Sequence, residues 1–233
     1  MIIMDKMEQG SAEWLQARIG CVTMSNAALV LSKGRGSKPS ETRRTYLLKV
    51  ASEILTGQPE EFKLSWAMER GNILEPFARA AYSHIAGVDV TEVGLAYLDD
   101  TKRISASPDG LTLKGGVEIK CPGAKQHVKT IVDDINDPKY TGQIQGCMWI
   151  FEKESWDFVS FCPEVDTKPI YIKTIYRDEE VIKRLEEESF KAVEEIDSYV
   201  AMAKMQISGE LLGICNGAIE LIDEIRNPEP EIF

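Results

Sequence analysis

The sequence predicts an α/β or α+β fold in which a central mixed β-sheet is flanked by helices. Segments with the helical spacing of apolar residues recur along the 233 residues, and Ser and Gly stand at several of their ends. Between them lie short segments in which apolar and polar residues alternate, as they do in half-buried strands. Since no repeat or linker divides the chain, one sheet covered by helices is the economical arrangement.

Helix boundaries are marked by residues that favour caps. Ser11 is a typical N-cap, and Gly57 and Gly87 are typical of helix ends because glycine tolerates the left-handed conformation. Asp178 precedes a long amphipathic segment that Gly209 interrupts. In chain order, helices are expected near 11–19, from 25, at 41–56, across 65–86, near 139–152, from 178 and, as a short helix, after 217.

A predicted β-hairpin carries charged residues among its apolar ones, between short strands expected near 88–98 and further strands at 155–162 and 169–176. Pro108-Asp109-Gly110 leads into it, Lys-Gly-Gly supplies its turn, and Val117-Glu118-Ile119-Lys120-Cys121 forms its second strand. Because strand side chains alternate, the Glu and Lys of that strand leave the same face. Two carboxylates and a lysine suit phosphodiester hydrolysis, in which acids hold divalent metal and the lysine orients or deprotonates a water.

The position of Asp109 depends on how this hairpin pairs. A three-residue turn pairs Leu111 with Ile119, and strict alternation then aims Asp109 away from Glu118. Gly110 would have to allow a bulge or twist that turns the carboxylate back. The alternative is a plain surface hairpin entered through a Pro-Asp-Gly turn, because each of these short patterns is common by itself.

Motifs on both sides of the hairpin resemble those of one enzyme family. They are Trp14-Leu15-Gln16-Ala17-Arg18-Ile19-Gly20, Thr23-Met24-Ser25, Gly71-Asn72-Ile73-Leu74-Glu75 and Tyr140-Thr141-Gly142-Gln143-Ile144-Gln145. In this order, with Ser-Pro-Asp-Gly and Glu-Ile-Lys-Cys-Pro between them, residues 8–205 resemble the phage lambda exonuclease and viral recombinase (alkaline exonuclease) family of the PD-(D/E)xK nuclease superfamily.

The resemblance implies a restriction-endonuclease-like core and a definite activity. The family consists of Mg²⁺-dependent exonucleases that degrade one strand of linear double-stranded DNA from a 5′-phosphorylated end. They release mononucleotides and leave 3′ single-stranded overhangs for phage-type recombination. A ring-shaped homotrimer and a single-strand annealing protein as a partner are implied in the same way.

The resemblance also implies a metal site. Asp109, Glu118 and the carbonyl of Ile119 are the expected ligands of two Mg²⁺ ions, and Glu75 joins them by family pattern. Mn²⁺ is an expected substitute. Asp109, Glu118 and Lys120 are the expected catalytic residues, with Lys120 positioning the attacking water. The alternative for Glu75 is the third helical position of a capping box, at a helix start.

A 5′-phosphate site is implied by motif position. Its candidates are Arg18, Ser25, Ser107 and Gln143, which together offer a guanidinium and neutral donors. Each has an ordinary alternative as an exposed helix residue, an N-cap or a turn residue. Arg35 lies where the family places an arginine that enters a DNA groove.

Charge is unevenly distributed along the chain. The formal net charge is −11, but residues 178–233 hold fifteen acids and five bases, whereas residues 1–177 are nearly neutral. Basic residues cluster within 33–49, where they are Lys33, Arg35, Lys38, Arg43, Arg44 and Lys49. We expect this segment to be an arm that binds double-stranded DNA ends, with Lys33, Arg35 and Lys38 in contact; the alternative is a solvated loop and helix face.

Composition bounds the setting of the protein. Five scattered cysteines without a Cys-x-x-Cys pair favour a reducing compartment. Since no signal peptide or membrane span is recognisable, we expect the cytoplasm of a bacterial host cell, and phage or prophage origin by resemblance. His84 and His127 are expected at the surface or its boundary. We expect one exonuclease domain at 1–208 and an acidic C-terminal extension of unknown role at 209–233.

Two other interpretations remain open at this stage. Another PD-(D/E)xK nuclease, such as an endonuclease or a helicase-associated nuclease domain, would share the metal site and lack the Arg18 and Ser25 pocket. A non-catalytic DNA-end-binding recombination scaffold would keep the fold, and the intact Asp109, Glu118 and Lys120 argue against it.

Overall fold

Two mixed four-stranded β-sheets flanked by helices form the framework of the chain. The structure, a computed structural model, describes residues 1–34, 36, 39–60, 65–134, 140–204 and 209–226, the last helix without its side chains from 223 onwards. The expected α+β class with mixed sheets and covering helices is thus confirmed. The strands divide between two sheets because the two halves of the strand-rich region pair with different partners.

The first sheet combines the N-terminal strands with the middle of the chain. Its strands are β1 (Ile2–Met4), β2 (Val22–Thr23), β3 (Leu95–Tyr97) and β4 (Ile104–Ala106). Their order is β1-β3-β4-β2, and only β2 and β4 run parallel, with Thr23 paired to Ser105. Of the expected strand region at 88–98, β3 and an isolated bridge between Thr91 and Leu111 are formed.

The second sheet carries the predicted charged hairpin. Its strands are β5 (Gly110–Leu111), β6 (Gly116–Lys120), β7 (Ser155–Phe161) and β8 (Ile170–Tyr176), in that order. β6 runs parallel to β7, and the other neighbours are antiparallel. Because β6 lies inside the sheet, four of its five residues are buried, including Glu118. The strand is therefore covered on both faces, not on one as its alternation suggests.

The predicted register of the hairpin is wrong. Gly110 pairs with Val117 and Leu111 with Gly116, because the loop has four residues and is closed by a hydrogen bond from the Thr112 nitrogen to the Gly115 carbonyl (3.0 Å). Extending this register by one residue sets residue 109 opposite residue 118. No bulge is needed to bring the two carboxylates together.

Eight helices are formed by the described residues. They are α1 (Ala12–Ala17), α2 (Ala27–Val30), α3 (Glu41–Thr56), α4 (Trp66–Ala86), α5 (Ala124–Asp133), α6 (Thr141–Phe151), α7 (Glu179–Ala203) and α8 (Gly209–Arg226). A 3₁₀ turn at Met24–Asn26 leads into α2. The bounds of α3 match the prediction, because Ser40 accepts a hydrogen bond from the Arg43 nitrogen and Gly57 ends the helix at φ 66°.

Three helix predictions differ from the structure. α4 runs without interruption past Asn72 and Pro76, so the capping-box interpretation of Glu75 is wrong. α5 was not expected, because its apolar residues are few and it follows a strand after only three residues. α8 begins at Gly209 and passes through Gly217, so there is no separate short helix after 217.

The main core lies where α2, α3, α6 and α7 meet the sheets. Its fully buried residues include Leu47, Ile144, Leu185 and Ile196. α6 approaches the 3₁₀ turn closely because Gly146 has no side chain; a Cβ there would lie 2.3 Å from the sulfur of Met24. This contact fixes the middle of α6 beside the turn that carries residue 25.

His127 is buried, which corrects the expected surface position. Its Nδ1 lies 2.8 Å from Ser160 Oγ and its Nε2 lies 2.8 Å from the Lys168 carbonyl. The ring therefore ties α5 to β7 and to the loop before β8. All five cysteines are free thiols.

Residues Met1–Val200 form one compact unit and Ala201–Phe233 form a second. The predicted boundary at 208 falls among residues outside the described set, so it stays a prediction. Within the described helices, none has both the length and the apolar character needed to cross a bilayer.

Candidate active site

Three elements bring acidic residues to one end of β6. α4 carries Glu75, the loop between β4 and β5 carries Asp109, and β6 itself carries Glu118. Asp109 Oδ2 accepts a hydrogen bond from the Ile119 nitrogen (2.6 Å), which fixes the carboxylate beside the strand. Lys120 Nζ lies 4.0 Å from the same oxygen. The predicted catalytic residues of the hairpin are thus assembled.

Glu118 is the most enclosed charged residue of this cluster. Its side chain is 0% exposed, and it forms an ion pair with Lys120 through Oε1. Neither of its oxygens accepts a hydrogen bond with good geometry from the described residues. A buried carboxylate oxygen without a donor is costly unless a cation or another donor completes it. Glu118 Oε2 therefore has the environment expected of a metal ligand.

Burial and the charge of Asp109 raise the pKa values of Glu118 and Glu75. Burial, followed by the charge of Asp109, raises the pKa of Glu118 to about 8, although Lys120 opposes the shift. Burial and then Asp109 also raise the pKa of Glu75 to about 7, against the opposing charge of Arg79. Acidic groups that resist ionisation together are stabilised as anions when a divalent cation binds between them.

Lys120 remains a cation in this environment. Burial on its own lowers the pKa of the Lys120 ammonium, but the charges of Glu118 and Asp109 outweigh it and hold that pKa above its ordinary value. The ammonium also lies 5.1 Å from the centre of the Tyr140 ring. A lysine that is held protonated donates hydrogen bonds and positive charge, and it is poorly suited to act as a base.

Glu75 is held by the helix that carries it. Arg79, one turn later on α4, donates to Glu75 Oε1 at 2.5 Å and, through Nε, to the Asp109 carbonyl at 2.9 Å. The structure thus brings Glu75 near Asp109 through a shared arginine. Arg79 was not among the sequence candidates, although its i,i+4 spacing from Glu75 is a recognisable signal.

The donor set suits Mg²⁺ in its chemistry. Within the described part of the chain, no three His, Cys, Asp or Glu side chains stand in a ready metal-binding arrangement. Mg²⁺ needs no such cage, because it is commonly held by one or two carboxylates and keeps several waters. Asp109, Glu118 with its unsatisfied oxygen, and the Ile119 carbonyl fit that requirement, with Glu75 at the edge of the site.

A second cluster lies at the carboxyl ends of β2 and β4. These strands are parallel, and Thr23 pairs with Ser105. Ser25 lies two residues after Thr23, and Ser107 lies two residues after Ser105. Arg18 reaches Ser25 through a hydrogen bond between Nη2 and Oγ (3.2 Å). Three of the four predicted phosphate-binding residues therefore lie in one region of the first sheet.

Trp14 connects the members of this cluster. Its ring stacks under the Arg18 guanidinium at 3.8 Å, and its Nε1 donates to Ser107 Oγ at 3.0 Å and to the Gly94 carbonyl at 2.9 Å. Burial lowers the pKa of Arg18, which still leaves a guanidinium charged at neutral pH. Sequence patterns alone favour Trp14 as a core residue; its i,i+4 relation to Arg18 is the signal that reveals the pairing.

Gln143 is placed less directly than the other three candidates. It lies at the start of α6, next to Gly142, which packs against the segment that follows Ser25. A Cβ added at Gly142 would lie 3.0 Å from the Cβ of Ala27. No hydrogen bond among the described residues joins Gln143 to Arg18, Ser25 or Ser107. The structure therefore brings its helix to the cluster without showing a contact of its side chain.

The two clusters share one short segment. Ser107 belongs to the second cluster and Asp109 to the first, with only Pro108 between them. The Pro108 carbonyl accepts a hydrogen bond from Gln9 Nε2 at 2.9 Å, and the same nitrogen donates to the Val93 carbonyl. The connection between the clusters is thus fixed at its middle residue.

The predicted DNA-binding arm is only partly described. Lys33 is exposed, whereas Arg35 and Lys38 lie outside the described residues. Two other basic residues of the segment form ion pairs: the largely buried Arg43 binds Glu195 at 2.7 Å, and the partly exposed Lys49 lies 3.2 Å from the exposed Glu60. The expectation of an arm does not hold for Arg43, because its guanidinium links α3 to α7.

This fold, with Glu118 and Lys120 on an inner strand, Asp109 on the loop before the hairpin and a further acid on a covering helix, defines the class of PD-(D/E)xK nucleases. Residues 13–154 match the model of the YqaJ-like viral recombinase domain, and the chain belongs to that family. It is accordingly a nuclease of the exonuclease type, with the features of phage-type recombination enzymes.

Solved structures agree with this assignment. The alkaline exonuclease LHK-Exo from Laribacter hongkongensis is 34% identical, with a TM-score of 0.76 over 82% of this chain and 95% of that chain. A second structure of LHK-Exo, in complex with dAMP, matches equally well. A phage-related exonuclease from Haemophilus somnus 129PT shares the fold at 17% identity, with a TM-score of 0.66 over 79% and 96% of the two chains. No curated protein matches the chain.

Proposed function

We propose that this protein is a Mg²⁺-dependent 5′→3′ exodeoxyribonuclease that degrades one strand of linear double-stranded DNA from a 5′-phosphorylated end to mononucleotides. The observation that carries the proposal is the junction of the two clusters at Ser107-Pro108-Asp109. A terminal-phosphate site next to a hydrolysis site makes cleavage start at a fixed distance from a strand end. An endonuclease has no need of such a phosphate site.

Asp109, Glu118 and the Ile119 carbonyl would hold Mg²⁺, with Glu75 as a further ligand for one of two ions; Mn²⁺ would substitute. Bound metal supplies positive charge to the scissile phosphate and a water of lowered pKa. Lys120, kept protonated by its neighbours, orients the attacking water and stabilises the charge that develops on the phosphate. Water forms the new P–O bond, and the bond to the 3′ oxygen of the terminal nucleotide breaks.

Arg18, Ser25, Ser107 and Gln143 would bind the terminal 5′-phosphate. Because the bond to the 3′ oxygen breaks, the phosphate stays on the shortened strand. After each cut, the new strand end therefore carries a 5′-phosphate again. The complex of LHK-Exo with dAMP supports this assignment, because dAMP is a mononucleotide that carries one phosphate. Lys33, Arg35 and Lys38 would contact the duplex backbone, and the strand left behind would be a 3′ overhang.

The family assignment is also the basis for proposing an oligomeric state and a protein partner. We propose a homo-oligomer, specifically a ring-shaped trimer, and cooperation with a single-strand annealing protein in phage-type recombination. Sedimentation of the purified protein tests the oligomer, and co-purification with a single-strand annealing protein tests the partner.

The deciding experiment offers linear duplex DNA with one labelled 5′-phosphorylated strand. We expect release of labelled mononucleotides when Mg²⁺ is present and none in EDTA. A matched duplex with a 5′-hydroxyl should be digested slowly. Digestion that begins at the 3′ end would contradict the proposed direction.

A covalently closed circular duplex provides the control. An exonuclease leaves it intact, whereas a related endonuclease cuts it. Failure to digest any DNA, with Asp109, Glu118 and Lys120 unchanged, would instead support a DNA-end-binding scaffold.

A further inference from the structure

Arg79 contacts two different parts of the candidate metal site. Its Nη2 donates to the Glu75 side chain, and its Nε donates to the main-chain carbonyl of Asp109. Its third nitrogen, Nη1, pairs with Glu92 at 2.9 Å, but Glu92 is 73% exposed. The Arg79 side chain itself is only 14% exposed. Glu75 is 33% exposed, so the inner contacts are better shielded from water than the outer one.

Ala78 and Tyr82 pack α4 against the second sheet, and Arg79 adds a direct link from the Glu75 side chain to the main chain of Asp109. Glu75 is attached to α4, whereas Asp109 belongs to the loop between the two sheets. Asp109 is then held from both sides: its carbonyl by Arg79 and its carboxylate by the Ile119 nitrogen. A planar guanidinium can hold a carboxylate and a carbonyl in one rigid geometry, while an ammonium offers a point charge on a flexible stem.

We propose that Arg79 is a positioning residue that sets the spacing of Glu75 and Asp109 for metal binding. The inference rests on the proposed function and deepens it, since it names the residue on which the affinity for metal depends. The three nitrogens of the Arg79 guanidinium are engaged by Glu75, Glu92 and the Asp109 carbonyl, so its effect is expected to pass through the ligands.

The test is the affinity for Mn²⁺, titrated into the DNA-free full chain and followed by electron paramagnetic resonance. Groups that orient metal ligands typically change metal affinity by about 10–100-fold when removed. We expect that loss in Arg79→Ala and a smaller one in Arg79→Lys. In nuclease assays, the half-saturating Mg²⁺ concentration should rise by a similar factor, while the rate at saturating Mg²⁺ is largely restored.

Arg177 provides a matched control. Its side chain is 17% exposed, donates to one carbonyl, that of Met148 at 2.8 Å, and pairs with one carboxylate, that of Glu179 at 2.5 Å. Arg177 follows β8, whose last residue, Tyr176, pairs with Ser155 at the start of β7. Lys120 pairs with Ser160 near the other end of β7. Arg177→Ala should leave Mn²⁺ affinity unchanged.

The outcomes separate the inference from the proposed function. If the wild type digests DNA and Arg79→Ala binds Mn²⁺ with unchanged affinity, the inference alone is overturned. An equal loss of Mn²⁺ affinity in Arg177→Ala overturns it as well. A wild-type protein that neither binds Mn²⁺ nor digests DNA overturns both. If Arg79→Ala fails to fold, Arg79→Lys is the deciding variant. Wild-type Mn²⁺ affinity in folded Arg79→Lys would show that the planar guanidinium is not needed, and it would overturn the inference.

Discussion

The buried Glu118 carboxylate shows how one residue can link the fold to the chemistry. It occupies an inner strand where an apolar side chain would be more stable in the absence of a cation, and Lys120 balances only part of its charge. Burial of an incompletely paired carboxylate costs free energy of folding. The metal ion proposed above would supply the partner that this carboxylate lacks.

Removing either hairpin carboxylate should abolish cleavage and preserve DNA binding. We expect Asp109→Asn and Glu118→Gln to lose activity by roughly 10²–10³-fold or more, the range found when a group that stabilises the transition state is removed. Duplex affinity measured in Ca²⁺ should be retained or increase, because each variant removes a negative charge near phosphate. Wild-type cleavage rates in either variant would refute the site assignment.

The raised pKa of Glu118 predicts a pH-dependent stability for the metal-free protein. The pKa is about 8 in the folded chain and 4.5 is its ordinary value, so this group's contribution is fully present below about pH 4.5 and is lost as the pH rises through 8. In EDTA, the melting temperature of the wild type should therefore fall relative to that of Glu118→Gln between pH 5 and 8. Parallel melting profiles would contradict the shift.

Metal should reverse this trend. Mg²⁺ binds the deprotonated carboxylates, so its affinity should increase with pH until Glu118 is ionised. The melting temperature gained on adding Mg²⁺ should consequently be greater at pH 8 than at pH 6 in the wild type and small at both in Glu118→Gln.

Recognition of the strand end should depend on Arg18. Removal of a charge-assisted hydrogen bond to an anion costs about 2–5 kcal/mol, so Arg18→Ala should remove most of the preference for a 5′-phosphate over a 5′-hydroxyl. The measurement is the ratio of initial digestion rates on the two duplexes. Trp14→Phe is the informative companion, because it keeps an aromatic ring under Arg18 and deletes the hydrogen bond to Ser107; its loss of preference should be partial.

Residue types predicted the chemistry better than they predicted the supporting contacts. Asp109, Glu118 and Lys120 were identifiable because metal-dependent hydrolysis requires few side-chain types at short spacing. Arg79 was missed because its value lies in a main-chain carbonyl thirty residues away, which no local pattern reports. The same holds for the link from Trp14 to Ser107.

At the level of elements, caps and turns decided which predictions held. α3 was predicted with its exact bounds because Ser40 and Gly57 act locally. The hairpin register was wrong because three- and four-residue loops are both compatible with the sequence, and a shift of one position exchanges the faces of a strand. The last helix was predicted only after Gly217 because glycine is a weak helix former, yet α8 begins at Gly209 and includes Gly213 and Gly217.

Two helical glycines should respond oppositely to alanine. A Cβ at Gly146 in α6 would meet Met24 at its Sδ, Cγ and Cβ atoms, at 2.3, 2.7 and 3.0 Å, whereas a Cβ at Gly71 in α4 meets no atom within 4 Å. Gly146→Ala should lower the free energy of unfolding by about 1–3 kcal/mol through overpacking. Gly71→Ala should raise it by about 0.5–1 kcal/mol. Urea denaturation of both variants decides; changes of the same sign would contradict the packing argument.

Over the whole molecule, charge is distributed so that acids and bases partly neutralise each other. Acids of α7 pair with basic residues of the body of the protein: Glu195 with Arg43, and Asp197 with Arg103. Part of the charge of the acidic C-terminal segment therefore holds α7 in place.

The remaining basic residues near 33–38 should still govern the salt dependence of DNA binding. Neutralising Lys33, Arg35 and Lys38 together should weaken binding to all duplex sequences. It should also flatten the slope of log affinity against log salt by up to about 0.9 for each DNA phosphate that the variant no longer neutralises. Measurement in Ca²⁺ isolates binding from cleavage. Removing the exposed α7 bases Lys183 and Lys191 is the control, and an unchanged slope in the triple variant would mean that the segment does not touch DNA.

The short connection between Ser107 and Asp109 has a consequence for the size of the product. Two residues of chain span at most about 7 Å, and the hydrogen bond from Gln9 to the Pro108 carbonyl keeps the middle of this span from moving. Under the proposed function, a strand end seated at one side would always be cut at the same distance from its terminus. The loop would then serve as a molecular ruler, and the protein's own backbone would set the length of the released piece, whatever base the DNA presents.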